Sequence, residues 1–451
     1  MVGFASSFSI PLWSEQYQVK PSDNALTQTV SDSVIIAGGG IGGLVMALTL
    51  HQIGVPCLVL EQAPEIGPLG VGINLQPNAV RELFDLGINQ EALEGIGVSC
   101  QEWALLGRNG RDIYSEPRGI KAGYQWPQFS LHRGRLQMLL LQTVVDRLGS
   151  DRVLTGHQVT GYEHAEHGVD VLVRVGGETE RLAAPLLLAA DGIHSAVRAQ
   201  MHPDQGDVHW GGAILWRGVT QGKPIRTGAS FVGIGSLNHR FICYPISQAD
   251  PETGLAEINW IAEITLSDKA AWDRVDWNAS VSAQAILPYF SDWQFPWLDI
   301  PQIIEGAPSI FEYPMVDRDP VATWIDGPVA LLGDAAHAMY PTGSNGASQA
   351  IVDARVLGAM ILEHGLNEQA LRAFDHKLCA EISAVVLRNR GAGPFGLLGM
   401  VDDRCEGDFE HINEVISQQE MDDFMVQYKR AAGFAMETLN MAAPTIKVDA
   451  R

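Results

Sequence analysis

The chain has 451 residues, 46% of them hydrophobic, and a formal net charge of −23. That length predicts two or three folding units, or one nucleotide-binding body carrying an inserted domain. The charge argues against nucleic acid and anionic membrane surfaces as partners, because both would repel such a chain.

Residues 1–32 carry no basic segment before Lys20 and no sustained apolar run, so they read as an extension rather than a secretory signal. Phe4, Phe8, Leu12 and Trp13 are its candidate docking groups. No stretch reaches the length of a membrane helix. The five cysteines (Cys57, Cys100, Cys243, Cys379, Cys405) are odd in number, widely spaced and without C-x-x-C. They predict reduced thiols and a cytoplasmic protein.

Ser33 to Glu61 organises the rest of the chain. An apolar strand runs into Gly38-Gly-Gly-Ile-Gly-Gly43, a helix stopped at Gly54, a second apolar strand and a terminal acid. Gly38, Gly40 and Gly43 fill G-x-G-x-x-G, with Ile41 and Gly42 between them. In a dinucleotide fold the first glycine makes the turn, the second admits a pyrophosphate and the third lets helix and strand close up. The helix N-terminus faces the phosphates and the acid takes ribose hydroxyls. The competing reading is a glycine-rich turn between two core elements. The spacing does not say which dinucleotide binds.

Gly67-Pro-Leu-Gly-Val-Gly72 is loop chemistry. Asn78 to Leu86 predicts a short helix, and 98–115 a hairpin around Asn109-Gly110. Leu131-His-Arg-Gly-Arg135 opens a helix whose apolar face is Leu136, Leu139, Leu140, Val144 and Leu148. Short strands continue through 152–175, where His157, His164 and His167 read as a solvated hairpin rather than a metal site. Pro185 to Ala190 is a buried strand ending at Asp191. Residues 211–265 alternate in β-branched and aromatic residues and predict an antiparallel sheet. Trp272, Trp277, Trp293 and Trp297 then read as an aromatic core cluster, and the Asn278 sequon as chance. Val329 to Leu332 is another buried strand, succeeded by Gly333-Asp334, a Gly/Pro/Asn loop from Pro341, and a helix from about Ala347 to His364. The tail from Asn367 is helical in pattern and shows no chemistry. Strands of parallel type at both ends of the chain predict one sheet, with the antiparallel segment inserted.

Asp191 and Asp334 both come directly after a buried strand, at the edge where α/β sheets bind ligands. Each is a helix N-cap or a ligand for sugar hydroxyls, and for Asp334 both readings can hold together. The helix start near Gly346 and Ala347 could stabilise negative charge on a bound ring.

Together these elements resemble the class A flavoprotein monooxygenases, the aromatic hydroxylases of para-hydroxybenzoate and salicylate type. The resemblance rests on the glycine turn with Glu61, on Asp191-Gly-Ile-His-Ser-Ala-Val-Arg198, on Leu332-Gly-Asp-Ala-Ala-His337, and on Arg133 at its helix start. It implies an α/β fold, α+β overall: a Rossmann-like FAD-binding domain, an inserted antiparallel substrate sheet and C-terminal helices. The implied FAD residues are Gly38, Gly40, Ile41, Gly42, Gly43, Glu61, Gln62, Val71, Gly72, Arg133, Asp191, Gly333, Asp334, Gly346 and Ala347. His337 is implied to be structural. FAD would occupy 33–98, 131–205 and 321–395. The substrate sheet would hold 99–130 and 206–320, leaving 396–451 as a tail.

A closer resemblance, from about Ser33 to Arg390, is to the phenazine-carboxylate branch of that family. It is carried by Leu69 to Pro77, Ser115-Glu-Pro-Arg-Gly119, His202-Pro-Asp-Gln205, Trp216-Arg-Gly-Val-Thr220, Tyr313 to Pro320 and Asn345 to Ile351. The implied reaction uses NADH or NADPH, with dioxygen carried as a flavin C4a-hydroperoxide, to hydroxylate an aromatic or heteroaromatic ring. The alternative is an FAD-dependent oxidase or dehydrogenase without oxygen insertion. Trp216, Tyr244, Trp260 and Tyr340 are the expected aromatic wall for the substrate, and Arg217 a partner for its carboxylate. Monomer and homodimer both stay open.

Overall fold

Apolar runs of four or five residues have no polar face, and such strands are buried on both sides of a parallel sheet. The computed structural model describes residues 32–68, 70–266, 279–431 and 436–447. Expectations for the N-terminal extension, Leu69, Trp272, Trp277 and Asn278 lie outside the described residues.

In chain order, β1 (Val34–Ala37), α1 (Ile41–Gln52), β2 (Cys57–Glu61), β3 (Gly72–Leu75), α2 (Pro77–Asp85), α3 (Gln90–Glu94) and β4 (Gly97–Cys100) come first. The hairpin β5 (Glu102–Leu106) and β6 (Asp112–Pro117) is next, then β7 (Gln128–His132), α4 (Arg133–Leu148) and β8 (Val153–Thr155). Strands β9 (His157–Ala165), β10 (Gly168–Val175) and β11 (Glu178–Ala184) form a meander before β12 (Leu187–Ala189) and α5 (Ala196–Met201). The long strands are β13 (His209–Gly222), β14 (Ser230–Gly235), β15 (His239–Pro245) and β16 (Ala256–Thr265). After them come β17 (Ala279–Val281), α6 (Ala283–Phe290), β18 (Gln294–Phe295), β19 (Leu298–Asp299), α7 (Ile300–Glu305) and β20 (Ile310–Asp317). The chain returns with β21 (Ile325–Asp326), β22 (Val329–Leu331), α8 (Asp334–His337) and α9 (Gly346–His364). Helices α10 (Glu368–Asn389), α11 (Gly396–Cys405), α12 (Gln418–Ala431) and α13 (Met436–Met441) end it.

The first sheet has the order β21-β22-β12-β1-β2-β8 and is parallel except for β21. Residues from both ends of the chain therefore complete one sheet, as the sequence predicts. The second sheet has the order β17-β20-β13-β16-β15-β14-β5-β6. It is antiparallel with one exception, since β14 and β5 run parallel. Between them lies the small sheet β3-β7-β4. The sequence boundaries at 98/99 and 130/131 fall inside β4 and β7 of this sheet, which joins the two halves.

Side-chain alternation gives the large sheet two distinct faces. One buries Trp216, Phe241 and Trp260 against Ile286, Phe290 and Trp293. The other carries Trp103, Phe231, Ile242 and Tyr244, partly covered by Phe395, Leu398, Val401 and Met421 of the C-terminal helices. The space left between that covered face and the parallel sheet is the candidate site.

Candidate active site

A cavity of about 800 Å³ runs from the glycine turn to the large sheet. Gly38 sits at the turn with φ +103°, a conformation that favours glycine, and a Cβ there would collide with the Ala190 carbonyl. At Gly43 a Cβ would collide with the Gly38 carbonyl, so this glycine sets how closely α1 approaches β1. Gly38, Gly40, Ile41 and Gly42 line the cavity, and the α1 N-terminus has no side-chain cap. Glu61 uses both carboxylate oxygens locally: Gly39 N–H donates to one at 2.7 Å and Ala63 N–H to the other at 2.7 Å. Gln137 of α4 donates to the Gly39 carbonyl at 2.8 Å and fixes the turn from the other side.

Of the remaining expected cofactor residues, Gln62, Gly72, Arg133, Asp191, Gly333, Asp334, Gly346 and Ala347 also line the cavity. Two do not. Gly43 acts through packing, and Val71 is buried, its carbonyl accepting from Arg133 N–H at 3.0 Å. Asp191 Oδ2 accepts from Ala196 N–H at 3.0 Å, while its buried Oδ1 has no partner. Burial pushes its carboxyl up from the usual carboxylate range. Asp334 is the first residue of α8, makes no capping bond and lines the cavity. Asn345 precedes α9 without capping it, and its buried Oδ1 is also unpartnered. Open backbone amides, uncapped helix starts and orphaned acceptors fit an FAD molecule laid along this edge.

Two buried ties hold these loops together. Arg198 donates to the carbonyls of Ala335 at 2.8 Å, Ala336 at 2.5 Å and Asp319 at 2.8 Å, joining the second motif to the third. His337 Nε2 meets Asp353 Oδ2 at 2.6 Å, and that oxygen also accepts from Gly333 N–H at 3.0 Å. His337 does not line the cavity. Burial alone would lower its pKa, but the Asp353 carboxylate outweighs burial and the net direction is up. His157 departs from the solvated hairpin expected of it: it is buried and lines the cavity, with Nδ1 2.7 Å from the Thr155 carbonyl.

Under the large sheet the cavity wall is Trp103, Leu215, Arg217, Phe231, Arg240, Ile242, Tyr244, Ile261, Glu263 and Met315, with Phe395 from the C-terminal segment. Tyr244 stands where expected. Trp216 and Trp260 do not, and the reason is parity: Leu215 and Arg217 face the cavity, so Trp216 faces away. Its Nε1 donates to Glu312 at 2.8 Å and its ring stacks on Tyr289. Trp260, paired with Cys243 rather than Tyr244, donates to Thr220 at 3.0 Å on that same far side. Tyr340 is buried beside His209 at 3.0 Å and is not part of the wall either.

Arg217 donates to the Gly72 carbonyl at 2.8 Å, and its buried Nε has no partner. Burial lowers its pKa, and Tyr244 lies beside it. The Tyr244 phenol is pushed up to about 12 by burial, so it stays protonated near neutrality. Arg240 is saturated, with Glu263 at 2.9 and 2.5 Å and the Phe395 ring 4.5 Å from its guanidinium carbon. Sequence reasoning missed Trp103, Phe231, Arg240, Glu263 and Phe395. Strand alternation was the available signal for the first four.

A family model described as an FAD binding domain matches residues 31–220 and 309–384, and the chain belongs to that family. It is 42% identical over 370 residues, 81% of this chain and 91% of the relative, to phenazine 1,6-dicarboxylic acid hydroxylase of Lysobacter antibioticus. It is 35% identical to aurachin C monooxygenase/isomerase of Stigmatella aurantiaca, over 72% of this chain and 79% of that one. Among solved structures, Klebsiella pneumoniae HpxO complexed with FAD and uric acid superposes with a TM-score of 0.69 at 23% identity, covering 90% of this chain and 96% of that one. A salicylate hydroxylase substrate complex gives 0.66 at 20% identity, covering 92% of this chain and 98% of that one. The chain is an FAD-dependent flavoprotein monooxygenase of the aromatic hydroxylase class. No described helix is long and apolar enough to cross a membrane.

Proposed function

We propose that this chain hydroxylates a carboxylated, phenazine-like heteroaromatic molecule with dioxygen, using NADH or NADPH, in the cytoplasm. The observation that carries the reading is one cavity with two chemistries: a dinucleotide cradle at one end, and an apolar, arginine-bearing wall at the other. The division into an FAD body and a substrate sheet belongs to the same proposal. Bound FAD supplies the redox chemistry, taking electrons from the nicotinamide cofactor and activating dioxygen.

The protein's own groups bind, orient and exclude water. Arg217 offers its unpartnered Nε to a substrate carboxylate and so fixes how the ring faces the cofactor. Leu215, Ile242, Ile261 and Met315 supply a dry wall. Tyr244, hydrogen-bonded to Asn74 and Arg217, serves as a donor and not as a base. Open amides at the start of α9 favour negative charge on the ring system laid against them. A homodimer stays open in this reading.

The test is a screen of aromatic acids and nitrogen heterocycles for stimulated NAD(P)H oxidation, with peroxide release measured alongside. Isotopic oxygen from dioxygen should appear in the product. Oxidised product without label would favour the oxidase alternative.

A further inference from the structure

The motif Ser115-Glu-Pro-Arg-Gly119 takes no part in the cofactor cradle, yet it brings a second arginine to the cavity. Arg118 comes just after β6, its backbone N–H held by the Gln101 carbonyl at 3.0 Å. Its guanidinium lies 5.2 Å from the centre of the Trp103 ring, and Nη2 pairs with Glu116 at 2.9 Å. Glu116 is itself held by the Tyr114 hydroxyl at 3.2 Å, so the arginine is held over the indole. Its Nε is buried and unpartnered, the same condition as Arg217 at the other end. A buried unpaired donor is costly, and a charged donor more so. Arg240, the third arginine under the sheet, has no such vacancy, because Glu263 and the Leu237 carbonyl occupy its donors.

A polar strip connects the two vacant donors. Arg217 holds the Gly72 carbonyl, and Gly72 pairs with His132 in β7. Along that strip Tyr244 meets Asn74, and Asn74 accepts from Ser130 at 2.9 Å and Gln128 at 3.4 Å. Gln128 then packs against Gly119, next to Arg118. From His132 to Gln128 is four steps of β7, roughly 13 Å at about 3.3 Å per residue. A fused-ring system matches a strip of that length better than a single benzoate ring does. Arg118 has one carboxylate partner, Glu116 on Nη2, and its Nε is left for another acceptor.

We infer that Arg118, with Gln128 beside it, forms a distal subsite that reads a second acidic substituent, so the cavity selects fused-ring aromatics carrying two carboxylates over those carrying one. Arg217 takes the first carboxylate and Arg118 the second. This inference rests on the proposed hydroxylase reading for the identity of the site, but it is a statement about binding and can be tested as one.

The experiment uses FAD-loaded enzyme and two probes, phenazine-1-carboxylate and phenazine-1,6-dicarboxylate, titrated through the flavin absorbance. Wild type should bind the diacid about tenfold or more tighter than the monoacid, the size expected for one charge-assisted hydrogen bond. R118Q should bring the two within about threefold of each other, and R118K should restore part of the gap. The inference is overturned if wild type shows no preference, or if R118Q weakens both probes equally. Should R118Q fail to retain FAD, the wild-type preference and R118K decide alone. Mass analysis of product from the same mixtures separates the two readings. Arg118-dependent binding without hydroxylation keeps the subsite and refutes the proposed reaction, and hydroxylation without Arg118 dependence does the reverse.

Discussion

Arg217→Met removes the charge and the fork while keeping much of the aliphatic stem. In the free enzyme it deletes the hydrogen bond of 2.8 Å to the Gly72 carbonyl and the contact to the Tyr244 hydroxyl. A buried acceptor left without its donor costs about 1–3 kcal/mol, so stability should fall by that order. In the complex it deletes the contact to a substrate carboxylate. Hydrogen bonds to charged groups contribute about 1.5–3 kcal/mol, which corresponds to a rise in Kd of about 10- to 150-fold. The assay is a flavin-absorbance titration with a carboxylated ring and with the same ring lacking the carboxylate. The carboxylated ligand should lose affinity by that factor, while the uncharged ring changes by no more than about threefold. FAD content, measured after ultrafiltration, controls for disturbance passed through Gly72. Equal losses for both ligands would refute the anchoring role, because Arg217 would then be holding the loop and not the carboxylate.

Asp334→Ala should raise the FAD dissociation constant about tenfold or more, read from flavin fluorescence, since an exposed carboxylate at the sheet edge is lost; unchanged occupancy would contradict its assignment. Gly43→Ala should cost about 1–3 kcal/mol of stability and weaken FAD retention together, because the added methyl must push α1 off the Gly38 carbonyl. Trp216→Phe should lower the melting temperature by losing the Glu312 bond, yet leave ligand affinity within about twofold, because the ring lies on the far face. For His337, whose folded pKa is raised by Asp353, the sign is fixed: its stabilisation is complete below the pKa of the unfolded side chain and declines as pH rises through the folded value. Melting curves across pH should show wild type losing its advantage over His337→Asn on the alkaline side. A constant difference across that window would count against the charged pair.

How much of the fold and site is legible in the sequence depends on the range of the interaction that decides each residue's place. The glycine turn, Glu61, Asp191 and Asp334 sit at strand ends, and the end of a buried strand is a local property that a sequence displays. The substrate wall is different. Trp216, Trp260, Tyr244 and Tyr340 suggest an aromatic wall by residue type, yet alternation already forbids Trp216 and Arg217 from facing the same way. Residue type alone assigns both to the site, and the structure keeps only Arg217. For Trp260 and Tyr244 the decision lies in register: Trp260 pairs with Cys243, one residue from Tyr244, and a one-residue slip of either strand would put both on the same face. No local pattern states that register. Phe395 lies further still from sequence logic. It reaches the wall because Gly233, in the middle of β14, has no side chain to occupy its place. Its segment is tied back to the cofactor loop, where Thr342 donates to the Asn389 carbonyl at 3.0 Å. In the proposed reading the glycine turn fixes where the cofactor sits, while the choice of substrate falls to residues that reach the cavity only once strands and tail are brought together. A substitution that alters specificity without disturbing FAD is to be sought at Arg118, Arg217 and Phe395, and not in the motifs that define the family.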